Sequence, residues 1–244
     1  MLDLASVAEV GTSTGLGFPY SLRRSRRRKS LEVRISQGQV LVSVPHFVNE
    51  PEVLRFLISK RAWILKKVGE QNHLLDTKPK REFCDGANWP YLNENLTLRL
   101  YFGSKLDVNR RDNELLISLS RRSKSSIESQ VRGALEFWYK EQALRVLSEK
   151  SFALAKLINQ DFTEVRVRKT KSRWGHCTSK GVLQYNWLIM LAPEAIADYL
   201  VAHEVSHLRH FNHSPEFWSL VASLCPDYQQ RRRWLKSEGF SLWF

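Results

Sequence analysis

The stretch from Val201 to Trp218, VAHEVSHLRHFNHSPEFW, constrains this chain more than any other. It packs four of the chain's seven histidines and two glutamates into one short segment. Helix positions four apart share a face. His203 and His207 therefore point the same way, one turn apart, and both imidazoles can reach one zinc ion. Glu204 lies about 100° round the helix from His203. That displacement suits it to accept a proton from a water on the metal rather than to ligate. This is the H-E-x-x-H device, with two ligands and a general base on one turn. The preceding PEAIADYLVA gives the segment an apolar side through Ile196, Leu200 and Val201, and Pro193 suits a first-turn position. The pattern predicts an amphipathic helix.

A catalytic zinc takes three protein ligands and keeps one position open. His210 shares the face of His203 but lies about 10 Å further along the axis, too far for the same ion. Its expected place is at the surface or behind a ligand. Asn212 is a candidate left-handed terminator, and Ser214-Pro215 reads as an N-cap followed by proline at the first position of a new helix. A fold-back there would put His213 at the corner, free to turn towards the metal. The expected ligand set is His203, His207 and His213, with one zinc per chain.

The net charge is +13, with 38 basic against 25 acidic residues. Such a balance favours anionic partners. Its densest block is Arg23, Arg24, Arg26, Arg27 and Arg28, read either as a solvated strand or as a weak, sequence-indifferent nucleic-acid surface. Cys84, Cys177 and Cys225 are widely spaced and odd in number, so no disulfide framework is expected and a cytoplasmic setting follows. The first residues lack the form of a signal peptide, no apolar run approaches a membrane span, and no membrane partner is expected.

Alternation in LEVRIS and QVLVSV around Gln37-Gly38 predicts a β-hairpin. Asn49 caps a helix carrying Val53, Phe56, Leu57, Trp63, Ile64 and Val68. LTLRLYF and ELLISLS predict two more strands. A long amphipathic helix follows over about 125–158, in one piece or two, then strands in TEVRVRKT and from Val182 to Leu191. The expected class is α+β: a flexible tail over 1–18, a β-rich module over 19–122, and a helix–sheet–helix domain over 123–244. No internal repeat is visible in the sequence. Trp218, Tyr228 and Trp234 are expected in the core of the closing helices.

From Arg173 to Lys236, with its RWGHC turn, LAP, H-E-x-x-H, Asn-His-Ser and Phe-Trp pair, the chain resembles the YgjP-like zinc metallopeptidases, relatives of the SprT proteins. The resemblance extends towards the N-terminus through RRSRRRKSLEVRIS and KRAWILKKV. It implies a zincin-like domain, a peptide or protein substrate, His203, His207 and His213 as zinc ligands, and Glu204 as base. It also implies that the strand after RWGHC pairs with an extended substrate, with Asn186, Tyr185 and Arg173 as candidate substrate contacts. His176 stands where the family usually has a small residue, and Asn93 where it tends to have glycine. Gly175 is read as giving the turn backbone freedom. The His spacing also resembles the YbeY-type endoribonucleases, but these carry glycine where this chain has Glu204. A non-catalytic zinc module that binds nucleic acid is the third reading.

Overall fold

The computed structural model describes residues 9–11, 15–36, 38–76, 80–170 and 173–244. The fold is α+β, and the chain divides into two compact units between Pro79 and Lys80. In the first unit, β1 (Glu9–Gly11), β2 (Tyr20–Ser25), β3 (Glu32–Ser36) and β4 (Gln39–Pro45) form a sheet in the order β1-β2-β4-β3. The β3–β4 hairpin turns at Gly38, whose φ of +73° only glycine adopts readily; Gln37 lies outside the described residues. Helix α1 (Glu50–Asp76) opens on a capping box: the Glu52 amide donates to the Asn49 side chain, and the Asn49 amide donates to the Glu52 carboxylate. Its far end clamps the hairpin, because the Gln71 amide bonds the Gly38 N–H and the Ile35 carbonyl.

Val53, Leu57 and Ile64 bury the inner face of α1 against Val40, Val42 and Val44. Trp63 does not join them; it is 47% exposed, since it lies off the stripe they form. Nor is the segment to residue 18 all tail: Leu16 and Phe18 are buried in this core, because apolar side chains at alternate positions lead into β2.

The second unit opens with β5 (Asn88–Tyr91), β6 (Glu94–Gly103), β7 (Asp107–Arg111) and β8 (Glu114–Ser120), in the order β5-β6-β8-β7. Helix α2 (Ile127–Leu157) follows as one uninterrupted element capped by Ser126. A boundary near residue 122 would sever this unit. Leu115, Ile117 and Leu119 of β8 share one core with Val131, Leu135 and Tyr139 of α2 and with the segments beyond. The first sheet of each unit has the same pattern: an antiparallel pair, a parallel central pair, an antiparallel hairpin, then a long helix. The repeat is topological, and the sequence carries no matching periodicity.

A second sheet, β10-β11-β9, is built from β9 (Glu164–Arg168), β10 (Gly175–Cys177) and β11 (Val182–Asn186). The expected strand to Leu191 stops at Asn186, whose side chain accepts from the Leu188 amide and starts a 3-10 helix over Trp187–Leu191. All five residues of that helix are buried. Then come α3 (Glu194–Ser206), α4 (Pro215–Leu224), α5 (Tyr228–Glu238) and a 3-10 turn at Gly239–Leu242. No described helix is long and apolar enough to cross a membrane.

Candidate metal centre and active site

Helix α3 carries His203 and Glu204 on a buried rod. Ile196, Leu200, Val201 and Val205 pack into the core and fix its position. Pro193 is the N-cap and has no side chain to offer, so the cap comes from elsewhere. The Asn93 side chain, at the turn between β5 and β6, accepts from the Glu194 amide at 3.0 Å and donates to the Glu194 carboxylate. Asn93 thus does more than shape a turn.

The helix ends at Ser206, earlier than the expected stop at Asn212, and Asn212 has no left-handed backbone. His207 is the C-cap, still in helical conformation, so the i, i+4 relation to His203 survives. Amides of 207–209 reach back three residues and tighten the end. The chain then turns into Ser214, which caps α4 through the Phe217 amide, with Pro215 next. His213 sits at the corner this makes.

The ligand nitrogens of His203, His207 and His213 lie within 4.8 Å of one another. Nε2 of His203 and Nε2 of His213 are 3.1 Å apart. That is a hydrogen-bond distance if one ring carries its proton there. It is also close to the roughly 3.3 Å between nitrogens bound at about 2.0–2.1 Å to one tetrahedral ion, so the three rings form a group that could hold a zinc-sized cation. His207 donates Nδ1–H to the His210 carbonyl at 2.9 Å, which leaves its Nε2 for a metal. His210 acts here through its backbone rather than its ring. Nδ1 of His203 is buried with no partner among the described residues.

Aromatic rings hold the imidazoles. The fully buried Phe217 touches all three histidines, with ring centroids 4.5–5.0 Å away. Trp218 stacks on His213 at 5.5 Å and on Tyr228 at 5.5 Å, so it backs the histidines as well as the core. Burial pushes the His203 pKa down to about 3, and His207, His213 and Arg232 act in the same direction. Burial lowers His207 too. His203 is therefore neutral at pH 7, the state in which an imidazole nitrogen can take a metal.

Glu204 is 4% exposed. Its carboxylate packs on Gly175 of β10 so closely that a Cβ there would stand 2.5 Å from its Cδ. Gly175 has no positive φ, so glycine serves here as space and not as backbone freedom. Burial raises the Glu204 pKa to about 8, against a smaller opposing pull from Arg173. Cys177, two residues along the same strand, is pushed up to about 11 by burial and by Glu204.

The sequence matches the YgjP-like, metallopeptidase domain family over residues 29–238. The chain belongs to this family. It therefore contains a metal-dependent peptidase domain, and its substrates are peptides or proteins. Comparison with curated proteins and with solved structures returned no match.

Two of the three expected substrate contacts of this YgjP-like chain are placed out of reach. Tyr185 is fully buried, with its hydroxyl bonded to Ser151 Oγ at 2.8 Å. Asn186 is 1% exposed and spends its amide on the Thr170 carbonyl and the Leu188 amide. The strand that carries them, β11, has neighbours on both sides, so it has no free edge for a substrate. Arg173 is exposed and acts electrostatically on Glu204. Arg23, Arg24, Arg26, Arg27 and Arg28 lie in the first unit. Arg24 bonds the Val48 carbonyl and Arg28 pairs with Glu32 at 2.6 Å, while Arg23, Arg26 and Arg27 are exposed. Sequence reasoning missed Asn93 as a cap, Gly175 as a space for Glu204, and Tyr199 and Arg232 beside the histidines. Only Gly175 had a local signal, the RWGHC turn.

Proposed function

We propose that the chain hydrolyses peptide bonds with one zinc ion held by His203, His207 and His213 and with Glu204 as general base. The observation that carries this reading is the convergence of three histidine nitrogens, one of them on the helix whose next residue is a buried carboxylate. When bound, zinc supplies Lewis acidity towards water and towards the scissile carbonyl. The chain's own residues do the rest. Glu204 takes a proton from the attacking water and later hands it to the leaving amine. Burial raises the carboxyl to about 8 and disfavours its charged form, so the ionised fraction is a stronger proton acceptor than an ordinary glutamate. The His210 carbonyl keeps His207 in the tautomer that presents Nε2.

The edge of β10 away from β11, unpaired among the described residues, supports an extended substrate. Trp174 accepts from the Asn186 amide and Thr178 donates to the Val182 carbonyl across the β10–β11 pair. By the alternation of antiparallel ladders, the backbone groups of Gly175 and Cys177 face outward. A peptide pairing there would pass beside Glu204. Substitution tests the assignment. Glu204→Gln is expected to keep zinc and to lose hydrolysis by roughly 10²–10⁴, and His213→Ala is expected to lose zinc. Elemental analysis with single-turnover assays reads both. Parent-like cleavage by Glu204→Gln removes Glu204 as base, and parent-like zinc affinity in His213→Ala removes that ligand.

A further inference from the structure

A cleft of about 490 Å³ is lined by Arg173, Trp174, Tyr199, Arg232, Lys236 and Trp243 among others, and it is one residue removed from the histidine trio. Tyr199 packs edge-on against His203 at 6.0 Å, and Trp174 directly precedes the glycine that abuts Glu204. The cleft therefore adjoins the reacting groups. No acidic residue lines it. Its three cations make no ion pair with any described residue.

Their placement is built into the fold. Arg232 and Lys236 are four apart in α5 and share a face. The Arg232 guanidinium lies over the Trp218 ring, 4.5 Å from its centroid, and that ring also stacks on His213. The neighbouring Arg231 is turned to other work, bonding the Ala195 carbonyl and pairing with Asp227. So the run Arg231–Arg233 is not uniform, and one member faces the site.

We propose that this cleft is a substrate subsite that takes a carboxylate carried by the peptide, on a residue flanking the scissile bond. The proposal rests on the peptidase reading for what is cleaved, but not for what is bound. A guanidinium presents a planar fork that matches a carboxylate. The volume is within the range of small-ligand sites. The aromatic walls cover the aliphatic stem of a side chain such as glutamate. They make a poor platform for nucleic-acid bases. Trp174 is already packed against Gly239, where a Cβ would stand 3.0 Å from the indole, and against Trp243 at 6.0 Å.

The test is binding of fluorescein-labelled peptides that differ only in Glu, Gln or Lys at the positions flanking the cleaved bond. Each is made with a free and with an amidated C-terminus. Anisotropy is read on the metal-free and the zinc-loaded full chain. The Glu peptide should bind about tenfold tighter than the Gln peptide, with a preference that weakens with salt. Lys236→Gln and Arg173→Gln should each shrink that preference severalfold, and Lys236→Glu should turn it towards the Lys peptide. Two sites of substitution keep the test decisive if one variant fails to fold, which thermal melts report. A preference confined to free C-termini would identify the terminal carboxylate as the group taken. Equal binding of Glu and Gln peptides overturns the proposal. So does displacement of peptide by a single-stranded oligonucleotide that binds tighter and is weakened by the same variants. Preference without cleavage of any peptide would keep the subsite and sink the peptidase reading; cleavage without preference would do the reverse.

Discussion

Gly175→Ala is the sharpest single perturbation of the site. Alanine accepts the backbone conformation, since Gly175 has no positive φ. The added methyl would nevertheless stand 2.5 Å from Glu204 Cδ and 2.6 Å from Cγ. Carbon atoms in contact sit about 3.5 Å apart or more, so the carboxylate must retreat by about 1 Å. Glu204 is 4% exposed and has little room to do so. A 1 Å misplacement of a reacting group costs on the order of 10²-fold in rate. The expected result is a kcat lower by about two orders of magnitude with zinc content unchanged, because none of the three histidines is touched. Overpacking of this kind costs roughly 1–3 kcal/mol, which lowers Tm by several degrees in a chain of this size. Steady-state kinetics, elemental analysis and a melt read all three. In a Glu204→Gln background the same change should cost little further activity, since both act on one group. Parent-like kcat in Gly175→Ala would mean that Glu204 keeps its place despite the methyl. Loss of zinc together with activity would place the effect at the histidines and not at Glu204.

Three further outcomes follow from the same geometry. Tyr185→Phe removes the buried hydrogen bond to Ser151 and should cost about 1–3 kcal/mol of stability with kcat/KM unchanged; a large kinetic loss at full stability would restore Tyr185 to the substrate surface. His203 has its pKa lowered to about 3 in the folded chain, below its ordinary value, so the unfolded chain binds the extra proton. Stability of the metal-free protein is therefore full above about pH 6.5 and is lost as pH falls towards 3, by roughly 2 kcal/mol at pH 5. Urea melts across that range check the sign, and His203→Gln should flatten the profile. If the arginine block binds nucleic acid, replacing the exposed Arg23, Arg26 and Arg27 with Gln should reduce the slope of log affinity against log salt by about 0.7–0.9 for each phosphate no longer neutralised. No binding of labelled DNA by the parent at low salt would sink that idea.

Features that depend on short stretches of backbone are legible in the residues alone. The separation of His203 from His207 is one helical turn wherever that helix lies, and Ser214-Pro215 starts a helix by local capping chemistry alone. The corner that carries His213 was therefore legible. So were the β3–β4 hairpin and the Asn49 cap, each closed within a few residues. Whatever joins distant segments is set by packing. Asn93 caps α3 across 101 residues, and Gly175 makes room for a carboxylate on another element. Arg231 packs against α3 through the Ala195 carbonyl, whereas the exposed Arg232 lines the cleft and lies over Trp218, a division that only the packing of α5 sets. Alternation in VLQYN reads as a strand, but it does not tell an edge from a centre. That depends on whether β9 and β10 flank it, and they do, so Tyr185 is buried in the core and not presented to a substrate. The unit boundary was hidden for the same reason. The apolar faces of β8 and α2 are each readable, but only packing shows that they share one core.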